Sequence, residues 1–509
     1  MSLAGLLDGP ARWAADRPAL LEGERPLRTW AELAEAVARR AGGLRERHGI
    51  EPGDAVALFA SNHAAYLELL FAIWHAGAVA VPISSRLHAR EAADIVERSH
   101  AGLVLATSEV AGELAPLLGG PATIVLGDED DEALLAAEPA PLQPRALTDD
   151  AWIFFTSGTT GRPKGARLSH GNLAAMAFAF MADGAELTPR DSIVHVAALS
   201  HASGLMALPF VARGGAQVLP ESGGFDAGEL FELVARGERS SFFVPPTLLR
   251  RLAAHPGAGS VDPARLGTIL VGAAPVLPSD QRAGVEAFGP CLWNGYGQGE
   301  SPCTITANGK RAVAAAVAKD DEDALRSVGV ARTAMRVRVV DAGDRELPQG
   351  EVGEVVVDGP TVMAGYLDMP EASAETLRGG WLHTGDLGRF DAHGRLTLVD
   401  RAKDMIISGG YNVYPREVED VLVLDPAVAE AAVVGLPDAE WGERVVAFVV
   451  PAGDAPVDES ALDRRCLEAI ARHKRPKEYV VISELPRNAA GKVLKKELRD
   501  SARVADAPR

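Results

Sequence analysis

Helix-like and strand-like segments alternate along most of this chain, and that alternation restricts its fold more than any other feature. Thr29 and Glu32 form a capping-box pattern that predicts a helix extending to about Arg47. Short apolar runs follow at intervals, and such runs are typical of strands buried on both faces of a sheet. The alternation therefore predicts an α/β fold. The predicted strands lie at 55–60, 78–83, 103–106, 124–126, 152–155, 193–197, 242–244 and 269–271.

The pattern changes twice in the C-terminal half. After about residue 328, strand-like segments at 335–340, 353–357 and 395–399 predict a β-rich part. From Pro415 a compact βα pattern resumes. A chain of 509 residues is too long for one hydrophobic core. We therefore predict a large N-terminal domain, residues 1–400, of α/β sheet subdomains plus a β-rich subdomain, and a small α+β C-terminal domain, residues 401–509.

Three segments are open to more than one interpretation. The acidic run 128–132 and the alanine-rich stretch 312–324 are predicted to be solvated surface. The stretch 193–212 is uncharged and long enough to span a bilayer. Because polar residues and Pro209 interrupt it, we predict a buried strand and pocket lining instead.

Charge and cysteine content exclude some classes of protein. A formal net charge of −19 argues against nucleic acid as a partner, because duplex binding depends on basic residues that neutralise phosphates. Cys291, Cys303 and Cys466 lack metal-ligand spacing and predict neither a zinc site nor a disulfide framework. The N-terminus shows no signal-peptide pattern, so a cytoplasmic protein is expected. The sequence is compatible with a homo-oligomer and does not predict its oligomeric state.

A loop rich in glycine and hydroxyl groups follows the predicted strand at 152–155. Glycines let backbone N–H groups point into one concavity that binds phosphate oxygens, and Lys164 adds positive charge. The loop is not a Walker A motif, because Pro163 precedes Lys164 and a glycine follows it. The alternative is an ordinary polar turn. The residues concerned are Thr156, Ser157, Gly158, Thr159, Thr160, Gly161 and Lys164.

This loop and five later segments, in the same order, resemble the signatures of the adenylate-forming superfamily, which includes acyl-CoA synthetases. The resemblance implies ATP-dependent conversion of a carboxylic acid to an acyl-adenylate, then transfer to coenzyme A with release of AMP and pyrophosphate. The later segments are 272–275, 296–300, 381–386, 400–404 and 486–492.

The resemblance also implies roles for single residues. Glu300 would hold Mg²⁺, and Lys492 would bridge the attacking carboxylate and the α-phosphate. Tyr296 would face adenine, and Asp386, with Arg401, would meet the ribose. The implied ATP-binding set consists of the loop residues above with Gly272, Ala273, Ala274, Pro275, Tyr296, Gly297, Gln298, Gly299, Asp386 and Arg401.

A second half-reaction is implied for the small domain, which would be mobile about a hinge at Lys403. The CoA-binding segment would be Ser408, Gly409, Gly410 and Tyr411, where glycines admit the pantetheine arm. His201 matches the position of a gate to the acyl pocket, although a lone histidine beside an apolar run is more often a core residue.

One departure and several alternatives remain. Gly299 stands where the family has Thr or Ser, so an α-phosphate contact is in doubt unless Ser301 or a water replaces it. No Asp lies between Asp191 and Asp226, which disfavours an amino-acid substrate. Small residues around 202–204 and 272–274 suit either a roomy acyl site or close packing. With no carrier domain after Lys492, a free thiol acceptor such as coenzyme A is favoured over a tethered one. A ligase that loads a separate carrier protein is the nearest alternative. A silent nucleotide-binding regulator is the other, and the presence of Lys164, Glu300, Asp386 and Lys492 argues against it.

Overall fold

The computed structural model describes residues 2–156, 163–438, 440–453, 457–487 and 493–505. Strands and helices alternate over much of this part of the chain. The strands are β1 Pro18–Glu22, β2 Arg25–Thr29, β3 Ala55–Ala60, β4 Val79–Ser84, β5 Leu103–Ala106, β6 Ala122–Val125, β7 Asp150–Thr156, β8 Lys164–Ser169, β9 Asp191–Val194, β10 Ala216–Leu219, β11 Arg239–Val244, β12 Leu266–Val271, β13 Leu292–Gln298, β14 Ser301–Asn308, β15 Val330–Ala331, β16 Arg336–Val340, β17 Gly353–Asp358, β18 Gly365–Tyr366, β19 Leu382–Phe390, β20 Leu396–Arg401, β21 Ile406–Ser408, β22 Tyr411–Val413, β23 Val428–Asp438, β24 Gly442–Pro451 and β25 Glu478–Val481.

The α-helices separate these strands and cover the sheets. They are α1 Asp8–Trp13, α2 Trp30–His48, α3 Ala65–His75, α4 Ala89–Arg98, α5 Ser108–Leu114, α6 Glu129–Leu135, α7 His170–Asp183, α8 Ala202–Ala212, α9 Ala227–Arg236, α10 Pro246–Ala253, α11 Pro278–Phe288, α12 Lys310–Lys319, α13 Glu322–Arg326, α14 Pro370–Thr376, α15 Pro415–Leu422, α16 Glu459–Ala469 and α17 Lys495–Ala505.

The first compact unit, residues 1–337 and 357–383, contains two large mixed sheets. One has the strand order β15-β14-β13-β12-β11-β9-β10-β1-β2, and the other β18-β8-β7-β4-β3-β5-β6. Neighbouring strands β3, β4 and β5 are parallel and wholly buried. The predicted α/β class with buried parallel strands is confirmed, because continuous apolar runs can be accommodated only where helices cover both faces.

The second compact unit, residues 338–356 and 384–509, holds two smaller sheets. Strands β16-β17-β19-β20 form one, and β22-β21-β24-β23, with β25 beside β24, form the other. The boundary predicted at residues 400 and 401 does not coincide with this division. Contacts continue across it: Asp400 accepts a hydrogen bond from the backbone N–H of Arg416 at 2.9 Å. A functional division between residues 1–400 and 401–509 stays a prediction.

The sequence predicted the start of α2 correctly, because the hydrogen bonds that cap this helix join residues only three positions apart. Thr29 caps α2, its side chain accepts from the Glu32 N–H, and Glu32 bonds back to the Thr29 N–H, so the predicted capping box is confirmed.

The two predictions of solvated surface are wrong in part. Asp131, within the acidic run, is buried and pairs with buried Arg40, which also bonds Glu68 at 3.0 Å. In the alanine-rich stretch, Val313 and Ala316 of α12 are buried.

The apolar stretch 193–212 also differs from its prediction. Strand β9 ends at Val194, and the rest of the stretch leads into α8, whose residues 203–211 are buried. Pro209 lies inside α8. None of the helices in the described part of the chain combines the length and the apolar character that crossing a bilayer requires.

Candidate active site

Strands β7 and β8 hold the two ends of the glycine- and hydroxyl-rich loop side by side. They are antiparallel, and Thr156, the last residue of β7, pairs with Lys164, the first residue of β8. The predicted phosphate-binding residues Ser157, Gly158, Thr159, Thr160 and Gly161 lie outside the described residues. The strand pairing alone therefore places the hydroxyl of Thr156 and the ammonium of Lys164 at one edge of the sheet.

Glu300 reaches this edge from a different sheet. It lies in the two-residue turn between β13 and β14, where Gln298 pairs with Ser301. Its Oε1 accepts hydrogen bonds from the Thr156 hydroxyl at 3.1 Å and from the Tyr366 hydroxyl at 2.8 Å. Two donors to one oxygen fix the orientation of the carboxylate.

Tyr366 was not singled out from the sequence, yet it contacts two predicted site residues. It is 8% exposed on β18, which pairs with β8. Lys164 Nζ lies 4.9 Å from the centroid of its ring. Burial and the neighbouring Glu300 charge raise the pKa of the Tyr366 phenol, so its hydroxyl is protonated and donates. The only local signal was a Gly-Tyr pair, which does not indicate a partner so far away in sequence.

His201 contacts β7 through the side chain of Phe154. The two rings make an edge-to-face contact with centroids 5.4 Å apart, and the Ser200 hydroxyl is 2.9 Å from His201 Nδ1. Burial, and to a lesser extent the positive charge of Arg86, lower the pKa of His201. The imidazole is therefore neutral at pH 7, which suits a wall next to an uncharged part of a substrate.

Neighbouring side chains leave no room for a side chain at residue 299. A Cβ atom there would lie 2.2 Å from Thr156 Cγ2 and 2.8 Å from Phe154 Cδ1. Ser301 is fully buried, and its hydroxyl bonds the Thr361 hydroxyl at 2.8 Å. Ser301 is thus engaged elsewhere and does not supply the hydroxyl that residue 299 lacks. This bond disfavours the alternative that Ser301 substitutes for it.

The remaining predicted nucleotide residues of the first unit follow strand ends. Gly272 is buried directly after β12, and a Cβ there would lie 3.0 Å from the Gly295 carbonyl oxygen. Ala273 has a φ of +68°, and the next residues, Ala274 and Pro275, are exposed with it. Tyr296 is buried on β13. Gly297 and Gln298 complete that strand, and the role of this set in binding ATP stays a prediction.

Small residues near His201 serve close packing. The Ser203 hydroxyl is 2.8 Å from His195 Nδ1, and a Cβ on Gly204 would lie 2.0 Å from the Leu199 carbonyl oxygen. Of the two interpretations left open for these positions, the structure favours close packing over a roomy site.

The second unit brings Asp386 and Arg401 together. They are paired residues on β19 and β20, and Arg401 Nε lies 2.9 Å from Asp386 Oδ1. Lys403 follows directly, and burial lowers the pKa of its ammonium group. The neighbouring Asp404 is tied to Arg499 of α17 at 2.9 Å. The predicted hinge therefore lies inside a compact unit, held there by ion pairs.

The predicted CoA-binding residues form a tight hairpin. Gly409 and Gly410 have φ values of +59° and +80° and connect β21 to β22, as the two central residues of a type I′ turn require. Ser408 is buried, whereas Tyr411 is exposed and stacks on His473 at a centroid distance of 4.6 Å. Lys492 lies outside the described residues.

The fold is that of the adenylate-forming enzymes, and it brings the carboxylate of Glu300 and the ammonium of Lys164 to the β7–β8 edge, each in contact with Tyr366. The AMP-binding enzyme family profile matches residues 8–367, and that of the AMP-binding enzyme C-terminal domain matches residues 417–492. This chain belongs to the AMP-binding enzyme family.

Several of its relatives are CoA ligases. Feruloyl-CoA synthases from Amycolatopsis sp and Streptomyces sp are each 40% identical over 473 residues, which cover 92% of this chain and 93% of theirs. The o-succinylbenzoate CoA synthetase MenE of Bacillus subtilis, solved with its acyl-adenylate OSB-AMP, superposes with a TM-score of 0.87 at 30% identity, covering 97% of this chain and 98% of that chain. ATP-bound MatB from Rhodopseudomonas palustris gives a TM-score of 0.87 at 30% identity, covering 98% and 99%.

These findings identify an AMP-forming acid–thiol ligase. It activates a carboxylic acid with ATP and transfers the acyl group to coenzyme A. The silent-regulator alternative is thereby disfavoured, and the carrier-protein alternative has less support.

Proposed function

We propose that this ligase acts on a carboxylic acid that carries an aromatic ring. The relatives at 40% identity are named for feruloyl-CoA, and MenE for o-succinylbenzoate, both ring-bearing acids. The edge-to-face pair of Phe154 and neutral His201 supports this assignment, because an aromatic edge packs favourably against a ring face.

We propose that Glu300 is the residue that holds Mg²⁺. Its carboxylate offers the hard oxygen donors that this ion prefers. Within the described residues, no cluster of three or more His, Cys, Asp or Glu side chains could hold a metal. The ion would therefore be shared between Glu300 and the phosphates of ATP, as is usual for Mg²⁺ at nucleotide sites. When bound, it would neutralise charge on the triphosphate.

The single observation that carries the proposed mechanism is the contact set of Glu300 with Thr156 and Tyr366 beside Lys164. It concentrates one carboxylate, two hydroxyls and one ammonium at the end of β7. Lys164 and the loop residues 156–161 would bind the β- and γ-phosphates. Such a preorganised site accelerates phosphoryl-centred chemistry by positioning and charge.

The second unit would complete the reaction. Asp386, held by Arg401, can accept two hydrogen bonds from ribose hydroxyls. Lys492 would bridge the substrate carboxylate and the α-phosphate during adenylation. The Gly409–Gly410 turn, with Ser408 and Tyr411, would admit the pantetheine arm afterwards, and Lys403 would be the pivot. Each of these roles rests on the resemblance described above. The cytoplasmic location likewise stays a prediction.

The test is AMP release in the presence of coenzyme A across matched acids: hydroxycinnamic acids, an arylacetic acid and straight-chain fatty acids. We expect the highest kcat/KM with a ring-bearing acid and a thioester with free coenzyme A. A preference for straight-chain acids would overturn the substrate class. Adenylation with no thioester on coenzyme A, but with loading of a carrier protein, would overturn the acceptor.

A further inference from the structure

Tyr366 touches a negative and a positive group with different parts of one side chain. Its hydroxyl donates to Glu300 Oε1 at 2.8 Å, while Lys164 Nζ lies over its ring, 4.9 Å from the centroid. The residue is firmly placed. It is buried, β18 pairs with β8, and its backbone N–H donates to the Ser373 hydroxyl at 2.8 Å.

Lys164 and Glu300 carry opposite charges and both contact Tyr366. A direct ion pair between them would hold each group against the other and away from a ligand. In the part of the chain that the structure describes, no ion pair joins Lys164 to Glu300. The ammonium is attracted by the face of the Tyr366 ring, and a carboxylate oxygen by its hydroxyl. Both contacts hold a charged group without neutralising it.

Thr156 is a second donor to Glu300, and it orients the carboxylate together with Tyr366. Thr156 and Tyr366 both donate to Oε1. Neither of these contacts uses Oε2, so among the described residues the carboxylate is oriented through one oxygen only. The other oxygen is the one we assign to a ligand. A partner that orients a metal-binding carboxylate in this way commonly changes metal affinity or activity by about 10- to 100-fold when it is lost.

We propose that Tyr366 is a positioning residue that keeps Glu300 and Lys164 apart and oriented, presenting the carboxylate to a metal ion and the ammonium to the phosphates of ATP. This inference rests on the roles proposed above for Glu300 and Lys164. It assigns separate tasks to the two parts of the side chain: the hydroxyl acts on the metal ligand and the ring acts on the phosphate ligand.

Two variants separate these tasks. Tyr366→Phe keeps the ring and removes the hydroxyl, whereas Tyr366→Leu removes both. The measurement is the dissociation constant of ATP by calorimetry, with saturating Mg²⁺ and with EDTA, in the absence of any carboxylic acid. The gain is the ratio of the ATP dissociation constant in EDTA to that with Mg²⁺. We expect this ratio to be roughly 10-fold smaller in Tyr366→Phe than in the parent protein. The dissociation constant in EDTA should be unchanged.

Tyr366→Leu should in addition weaken ATP binding in EDTA, because Lys164 would be free to pair with Glu300. If the leucine variant does not fold, the phenylalanine variant still decides the role of the hydroxyl. Unfolding temperatures of all variants are measured alongside, since a purely structural role would lower stability and leave the Mg²⁺-dependent gain unchanged.

Tyr66→Phe is the matched control. Tyr66 is a fully buried tyrosine of α3 in the same unit, and its hydroxyl has no hydrogen-bond partner in the described part of the chain. The same chemical change there should leave both ATP dissociation constants at their original values.

Glu300→Gln separates failure of this inference from failure of the proposed metal role. If Glu300→Gln loses the Mg²⁺-dependent gain and Tyr366→Phe keeps it, Tyr366 has no positioning role, and Glu300 remains the metal ligand. If Glu300→Gln keeps the full gain, the metal role of Glu300 fails, and the inference about Tyr366 fails with it. When both lose the gain, the double variant should lose no more than Glu300→Gln alone.

Discussion

At the scale of single residues, Glu300 shows how distant segments orient the side chain of a turn residue. The turn between β13 and β14 only carries it to the sheet edge, and its orientation comes from Thr156 and Tyr366. Its backbone carbonyl accepts a further bond from the Met363 N–H at 2.9 Å. The main chain and side chain are thus held independently.

This arrangement predicts the effect of Glu300→Gln on catalysis. Glutamine has nearly the same shape and can still accept from Thr156 and Tyr366, but it lacks the charge. We expect adenylation, measured by ATP–pyrophosphate exchange, to slow by about 10²–10³-fold, the scale of losing one preorganised electrostatic group. The unfolding temperature should change little. A large fall in stability with an unchanged magnesium titration would show instead that the carboxylate is structural.

Gly299 gives a second prediction at this scale, about stability. Because a Cβ there would meet Thr156 Cγ2 at 2.2 Å and Phe154 Cδ1 at 2.8 Å, Gly299→Ala must shift β7 or the turn. We expect a loss of about 1–3 kcal/mol in the free energy of unfolding, as for other overpacked sites. Thr156→Ser removes the nearer methyl group, so the double variant should recover part of the loss in urea denaturation. An alanine variant as stable as the parent protein would contradict this packing.

At the scale of elements, His195 joins three of them. It follows β9, and its ring nitrogens bond Ser203 of α8 at 2.8 Å and Gln217 of β10 at 3.1 Å. The residue is fully buried, and burial lowers its pKa from 6.5 to about 4. A buried histidine that is neutral and bonded on both nitrogens stabilises the junction only while it stays unprotonated.

The pH dependence of stability follows from that shift. Between pH 6.5 and about 4 the unfolded chain binds a proton at this site that the folded chain does not. The free energy of unfolding therefore falls as the pH is lowered through this window, with a contribution of roughly 3 kcal/mol from His195. His195→Gln should remove this contribution, which chemical denaturation at several pH values measures. Parallel pH profiles for the two proteins would rule it out.

At the scale of the whole molecule, the position of Lys403 bears on how two half-reactions use one chain. Lys403 lies within the second compact unit, where Arg499 holds the adjacent Asp404 and Arg401 holds Asp386. A rotation about Lys403 would have to rearrange residues that this structure ties together by ion pairs. Such a hinge would concentrate a large backbone change at few residues.

Lys403→Pro tests this pivot. Proline fixes φ near −65° and removes the N–H donor, so rotation about the residue should be blocked. We expect near-normal ATP–pyrophosphate exchange and thioester formation slower by about 10²-fold or more, the scale on which misplacing a reacting group acts. Lys403→Ala, which loses the charge but keeps backbone freedom, is the control and should retain both steps. Equal loss of both steps in the proline variant would refute the hinge.

The class of fold could be predicted from the order of residues because it depends on local rules. Capping of α2, the buried strands β3 and β5 and the loop flanked by Thr156 and Lys164 are each expressed within a few neighbouring positions. The motif containing Glu300 is equally local, but the role of Glu300 is implied by the family resemblance and stays a prediction.

Contacts between distant segments could not be predicted in that way. The bond from Tyr366 to Glu300, the closed space at Gly299 and the burial of Asp131 against Arg40 all join elements that meet only through sheet pairing and helix packing. The compact units likewise divide at a place that no local pattern marks, because the number and position of contacts across the chain define it. Periodicity reports which face of an element is apolar; which other element covers that face is settled only when the whole chain has packed.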